Sequence, residues 1–334
     1  MQTRNPSAPR PCRHWPFWFV IFLLLFILAV DFWSGLGSFV AGGEKGIDEF
    51  PSFSETLSYG SGNTKVARIS FSGIMTSEIP GGFFAAANPL HTAIRQVRAA
   101  RQDDDVAAIL FEMDSPGGEV TAADELYHEL LLFRQSRSDR RVVVLVRGVA
   151  ASGGYYASLP ADRIIVQPTA IVGSIGVILQ SYNLKELADK VGVKDVTVKS
   201  GKNKDMLNPL RDPTPEEIAL LQAGIDAVYA RFLSLVSESR RIPPATLRPL
   251  ADGRIFTPEQ ALDAKLVDGI GYFEDAVDAL RALLGKDDLA LYAYSSSASL
   301  ADLLFAPVES RARLALRALS AAPAVPRLSA LWIP

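Results

Sequence analysis

Two predominantly apolar runs, Val106–Met113 (VAAILFEM) and Arg141–Val146 (RVVVLV), constrain this chain more than any other feature. Each has the length of a strand. A strand that is apolar on both sides must be covered on both sides, the condition of a sheet packed between helices. The first run ends in Asp114-Ser115-Pro116-Gly117-Gly118, which neither strand nor helix can carry through. The second runs into Gly148-Val149-Ala150-Ala151-Ser152-Gly153-Gly154. A helical pattern follows each: Ala122–Arg134 with Thr121 as its cap, and a small-residue helix from Tyr155 to about Leu159.

The alternation continues along the chain. Val66–Ile74 reads as a strand, and Leu90–Arg101 as a helix with Ile94 and Val97 on one face. Arg163–Val166 is a short strand, and Ala170–Ile178 (AIVGSIGVI) is apolar with two glycines. Leu184–Val191 reads as a helix and Val193–Lys199 as a strand. Thr214–Arg240 is a long helix opened by a capping box of Thr214 and Glu217, with Pro215 at its first position. Two shorter helices fall within residues 257–284. Alternating strands and helices of this kind predict an α/β fold with a covered sheet.

The N-terminus predicts a membrane span. Trp15–Trp33 is apolar up to Asp31, close to the roughly 20 residues that cross hydrocarbon as a helix. Arg4, Arg10 and Arg13 precede it without an acidic residue. The positive-inside tendency then keeps residues 1–14 cytoplasmic and exports the rest. A cleaved signal peptide is the alternative reading. Residues 34–64, rich in Gly, Ser, Glu and Pro, read as a flexible stalk. The catalytic domain is expected over 65–285, and 286–334 as an Ala-, Leu- and Pro-rich tail.

Composition narrows the chemistry. The net charge is -3 and no basic patch alternates with aromatics, which argues against a nucleic-acid partner. Cys12 is the single cysteine, so a disulfide framework or thiolate metal cluster is excluded. The three histidines, His14, His91 and His128, are poorly placed for a zinc site or a histidine triad.

Ser152 is the candidate nucleophile. Small neighbours let a substrate backbone approach, and a helix starting beside it aims the Gly153 amide toward a developing oxyanion. The same residues also suit a tight turn with a capping serine. The glycines of DSPGG free the backbone to present a second amide, that of Gly118 or its neighbour. A serine hydroxyl needs a base. Lys204, in Ser200-Gly201-Lys202-Asn203-Lys204, can serve if burial or cationic neighbours favour its neutral form, although a loop lysine is more commonly just solvated.

With DSPGG at 114–118, GVAASGGYY at 148–156, IVGSIGVI at 171–178 and SGKNKD at 200–205 in this order, the chain resembles the short, single-domain form of the signal peptide peptidase A family. That family lies within the Clp-protease/crotonase superfamily, and the resemblance covers about residues 65–285. It implies a fold of repeated ββα units and a Ser–Lys dyad of Ser152 and Lys204. It also implies that Ser174 orients the lysine amine and that Gly118 and Gly153 form the oxyanion hole, with no metal or cofactor. Clp-type peptidases carry a catalytic histidine where this chain has Arg163-Ile-Ile-Val-Gln167-Pro168, and here none stands there. The implied setting is a homo-oligomeric ring with sites shared between chains. It would be anchored in the bacterial cytoplasmic membrane through residues 15–33, with its peptidase domain outside the cytoplasm, degrading cleaved signal peptides and similar apolar peptides. The tail segment Leu319–Ala324 itself looks like such a substrate, which suggests self-trimming. A crotonase-type acyl-CoA enzyme and a catalytically idle membrane scaffold are the rival readings.

Overall fold

Nine strands of one mixed sheet carry the architecture in a computed structural model of the chain. The structure describes residues 51, 53–78, 88–295 and 329–331, all within one unit, Asp48–Pro334. The expected membrane span and cytoplasmic tail lie outside the described residues.

The centre of the sheet is parallel: β2 (Thr64–Ser72), β3 (Val106–Ser115), β5 (Arg141–Ala151) and β6 (Arg163–Val166), in that order. Both expected apolar runs are its middle strands. Their side chains divide by the two-residue period of a strand. Ile109, Phe111, Met113, Val142, Val144 and Val146 join one core with α1 (Pro89–Gln102), α2 (Val120–Ser136) and α3 (Gly153–Ser158). Ala108, Leu110, Val143 and Leu145 face the other way, onto Ala276, Val277 and Leu280 of α8 (Phe273–Leu284). Full burial of each large side chain stabilises the fold by about 1.5–3 kcal/mol.

The repeated ββα pattern is visible in how each strand ends. After β2, Met75 forms a parallel bridge to Gly118, and α1 follows. After β3, β4 (Gly117–Glu119) takes part in that bridge, and α2 follows directly. The far end of β5 leaves β6, and Val149–Ala151 pair instead with β7 (Ile171–Gly173) before α3 begins. The register between β3 and β5 shifts at Met113/Ser115, where both strands turn into this second layer. The two glycine-rich motifs therefore meet at one corner.

Three expectations are corrected. The sheet extends past both expected domain boundaries. β1 (Ser54–Gly60), inside the expected stalk, pairs antiparallel with β10 (Leu289–Ser295), inside the expected tail, and β10 pairs parallel with β2. Val193–Lys199 is not a strand. It pairs with no strand among the described residues, and Val196 and Val198 are 87% and 97% exposed. Thr121 is not a cap, because α2 starts at Val120. Glu119 is still extended by its bond to Met75, and its carboxylate accepts from Thr76 Oγ1 and Ser77 N–H. Asn88 caps α1, its side chain accepting from Leu90 N–H at 2.8 Å.

The helix α5 (Pro215–Arg240) forms with its capping box as expected. Its buried residues are Glu217, Phe232 and Val236 alone among the described residues. It is also the one described helix long and apolar enough to cross a membrane, with a mean hydropathy of 1.4 over its most apolar window. Between β7 and α5 lies an exposed arm containing α4 (Lys185–Val191), with Tyr182, Leu187, Val191 and Val193 turned to solvent.

Candidate active site

Ser152 sits at the turn between β5 and α3. Its backbone has φ 52° and ψ −114°, a region that non-glycine residues seldom adopt. The strain is held from both sides. Its N–H donates to Gly173 O at 2.7 Å, and its carbonyl accepts from Tyr156 N–H at 2.9 Å. Such a turn lifts the side chain off the sheet while the chain reverses into a helix. Ser152 is 2% exposed, and its Oγ has a long contact of 3.5 Å to Gly176 O. The Gly153 N–H, first in the helix, has no hydrogen-bond partner among the described residues. It is one of the free amides every helix start leaves.

DSPGG packs directly against this turn. Asp114 Oδ1 accepts from Val149 N–H at 3.0 Å, and Gly148 passes so close that a Cβ there would lie 2.7 Å from the same oxygen. Ser115 Oγ donates to Gly73 O at 2.7 Å and accepts from Gly117 N–H at 3.1 Å, fixing the bend. Gly117 and Gly118 have φ of 97° and 156°. Met75 binds Gly117 O and Glu119 N–H, so strand alternation turns the peptide groups of Gly118 to the opposite edge. That edge carries β11 (Ser329–Leu331), antiparallel, with Ala330 opposite Gly118.

Ser174, 8% exposed, also has positive φ, 49°, and its N–H donates to Arg254 O at 2.8 Å. Ser152 and Ser174 line one cavity of about 400 Å³, closed by Ile175–Ile178, by Gln222, Ile225, Asp226 and Tyr229 of α5, and by Ala251–Gly253. α5 thus forms a wall of the cavity, a role the sequence did not signal.

Lys204 is not among the residues lining that cavity. It is exposed, in the loop beyond the arm. Its neighbours are engaged: Lys199 Nζ lies 2.6 Å from Asp205 Oδ1, and Lys202 Nζ 2.7 Å from Glu216 Oε1. The Lys204 amine has neither hydrogen bond nor ion pair among the described residues. Within one chain, then, Ser152, Ser174, Gly153 and the DSPGG corner are gathered, and Lys204 stands apart.

The family model for peptidase family S49 matches residues 134–286. A putative signal peptide peptidase SppA of Enterococcus faecium is 33% identical over 243 residues, 72% of this chain and 70% of that protein. The chain belongs to peptidase family S49. Membership makes it a peptidase, of the serine type. Protease 4 of Salmonella typhi, another relative, is 32% identical over 56% of this chain but only 30% of its own length. Among solved structures, a point mutant of ClpP1 from Listeria monocytogenes overlaps 63% of this chain and 94% of its own, with 16% identity and a TM-score of 0.42. The S49 match spans the second glycine motif, both candidate serines and Lys204, while DSPGG lies ahead of it.

Proposed function

We propose that the chain is a membrane-anchored serine endopeptidase that cleaves short apolar peptides, cleaved signal peptides among them, with Ser152 as nucleophile and Lys204 as general base. The observation that carries this reading is the strained, buried Ser152 at the crossing of two glycine motifs, opening onto a cavity it shares with Ser174.

In the first step Ser152 Oγ attacks the peptide carbonyl carbon and its proton passes to the neutral Lys204 amine. The oxyanion is met by the N–H groups of Gly153 and Gly118, donors from two separate segments. The tetrahedral species collapses, the C–N bond breaks, and the Lys204 ammonium gives its proton to the leaving amine. Water then attacks the acyl ester with Lys204 taking its proton; the C–Oγ bond breaks, and the Lys204 ammonium returns that proton to Ser152 Oγ, leaving the hydroxyl and the neutral amine. Ser174 orients the lysine amine. The outer edge of β4 takes a strand of this chain in antiparallel register, so it accommodates an extended peptide.

Ser152 and Lys204 of one site come, in this reading, from neighbouring copies in a homo-oligomeric ring. The separation of Lys204 from the cavity, the exposed valines of the arm and the apolar surface of α5 all support it. A neighbour covering the Lys204 loop would take its amine out of water, and desolvation favours the uncharged amine. Residues 15–33 would hold the ring to the cytoplasmic membrane with its peptidase domains outside the cytoplasm.

The test is complementation. Ser152→Ala and Lys204→Ala are each expected to lose peptide hydrolysis. Oligomers dissociated, mixed and reassembled from the two variants should regain part of it. Full activity in Lys204→Ala alone would refute the dyad, and two inactive variants that never complement would refute sharing between chains.

A further inference from the structure

The loop that carries Lys204 is tied to the start of α5 twice: at the surface by Lys202, which pairs with Glu216, and beneath it by Arg211. Arg211 Nε donates to Asp205 Oδ2 at 3.0 Å, and Nη2 donates to Asp205 Oδ1 and to the Asp205 carbonyl, both at 2.9 Å. On its other side, Nη1 donates to Glu217 Oε2 at 2.9 Å and Nη2 to Glu217 Oε1. Nη1 also reaches Asp212 O at 3.2 Å. The guanidinium is forked onto two carboxylates at once, a geometry a lysine cannot reproduce. With its donors spent inside the loop, it has little left for a substrate.

Both carboxylates are themselves anchored. Glu217 belongs to the capping box of α5, accepting from Thr214 N–H at 2.8 Å. Its side chain is 4% exposed in a helix that is otherwise mostly on the surface. Asp205, next to Lys204 in sequence, is also held by Lys199. Hydrogen bonds from Arg211 and Lys199 keep the Asp205 carboxyl well below the usual range, and those from Arg211 and the Thr214 N–H hold Glu217 down at about 2. Both carboxylates thus stay charged at neutral pH. The chain of contacts runs from helix cap to Glu217, Arg211, Asp205 and the residue beside the proposed base.

We infer that Arg211 is a positioning residue: bridging Glu217 and Asp205, it clamps the loop to α5 and fixes where the Lys204 amine is presented. This rests on Lys204 being the base. The same helix lines the Ser152 cavity of its own chain, so the clamp also links the lysine loop, which serves a neighbour's serine, to that cavity's wall.

The experiment uses the full-length protein in its native assembly, with Arg211→Lys, Lys204→Ala and the double variant. It follows peptide hydrolysis, oligomer size and thermal unfolding, with and without added ethylamine. Misplacing a catalytic group by about 1 Å can cost about 10²-fold. Arg211→Lys should therefore lose about 10²-fold in kcat with KM within about twofold, its oligomer size unchanged. Ethylamine should restore part of the activity of Lys204→Ala, and equally that of the double variant, because a free amine needs no loop. Activity of Arg211→Lys within about twofold of wild type would overturn the inference. So would a rescued rate that falls further in the double variant, or a loss explained by a smaller oligomer. Full activity in Lys204→Ala would instead remove the base on which the inference rests. Should Arg211→Lys not fold, Asp205→Asn, which leaves the helix cap intact, carries the same expectations.

Discussion

Gly154 is packed onto the backbone of Ser115 so closely that a Cβ placed on it would lie 2.5 Å from the Ser115 carbonyl oxygen. The two motifs around Ser152 and Gly118 are thus fitted together through main chain, with no side chain able to give way. Gly154→Ala should push the DSPGG bend away from the serine turn. Overpacking of this kind costs typically 1–3 kcal/mol. We expect a loss of about 2 kcal/mol in urea unfolding and at least about tenfold in peptide hydrolysis, since two oxyanion donors would move apart. A variant as active as wild type would show that the contact is not part of the site's geometry.

Ser152 holds a backbone conformation that costs of order 1–3 kcal/mol for a non-glycine residue. Glycine adopts it freely, at some cost in unfolded-chain entropy. Ser152→Gly should therefore be more stable than wild type by about 1 kcal/mol while losing all labelling by an active-site serine probe. Ser152→Ala, equally unreactive, keeps the strain and should gain no such stability. Equal unfolding midpoints for the two variants would contradict the strain.

Much of this was legible in the sequence, for local reasons. The apolar runs of β3 and β5 announced a doubly covered sheet, and Thr214 with Glu217 announced the start of α5, because these signals lie within a few residues. β1 was missed because SETLSYG is almost wholly exposed and pairs with a strand more than two hundred residues away. LALYAYS in β10 is a short apolar run of strand length and could have been read as a strand. Val193–Lys199 misled for the opposite reason: its valines have strand propensity, but propensity without a pairing partner makes no strand. At the site, Ser152, Ser174 and the glycines were visible as motifs. The Arg211 clamp and the α5 wall were not, because they depend on which distant carboxylates and side chains the fold brings near.

Acid should loosen the far edge of the sheet through Asp268. Burial would by itself raise this carboxyl, but the hydrogen bond and charge of Arg240, the Ile164 N–H and the charge of Arg163 outweigh it and leave it below its usual 3.8. A depressed carboxyl contributes stability that is complete above the ordinary carboxylate range and disappears as pH falls through the lowered value. Asp268→Asn leaves the Arg240 guanidinium, 8% exposed, without its ionic partner 2.9 Å away. Removing one member of a buried pair costs about 3–5 kcal/mol, and about 2 kcal/mol is expected here because Asp268 is partly wet. Urea unfolding at pH 7 should show that deficit, and at pH 3, below the ordinary carboxylate value, it should be smaller. A constant difference at both pH values would rule out the charge as its source.

The strand Ser329–Leu331 lies along the edge of β4 that the proposed peptide substrate would use, opposite Gly118. A tethered occupant competes at an effective concentration in the millimolar range, so it raises apparent KM without touching kcat. Removing residues 326–334 should therefore lower KM for a short peptide severalfold and leave kcat within about twofold. The peptide Pro326–Pro334 supplied in trans should inhibit the truncated enzyme competitively. If the truncated chain instead loses kcat, the strand supports the Gly118 corner rather than blocking it. Unchanged kinetics in the truncated chain, with no inhibition by the peptide, would mean that substrate approaches Ser152 by another edge.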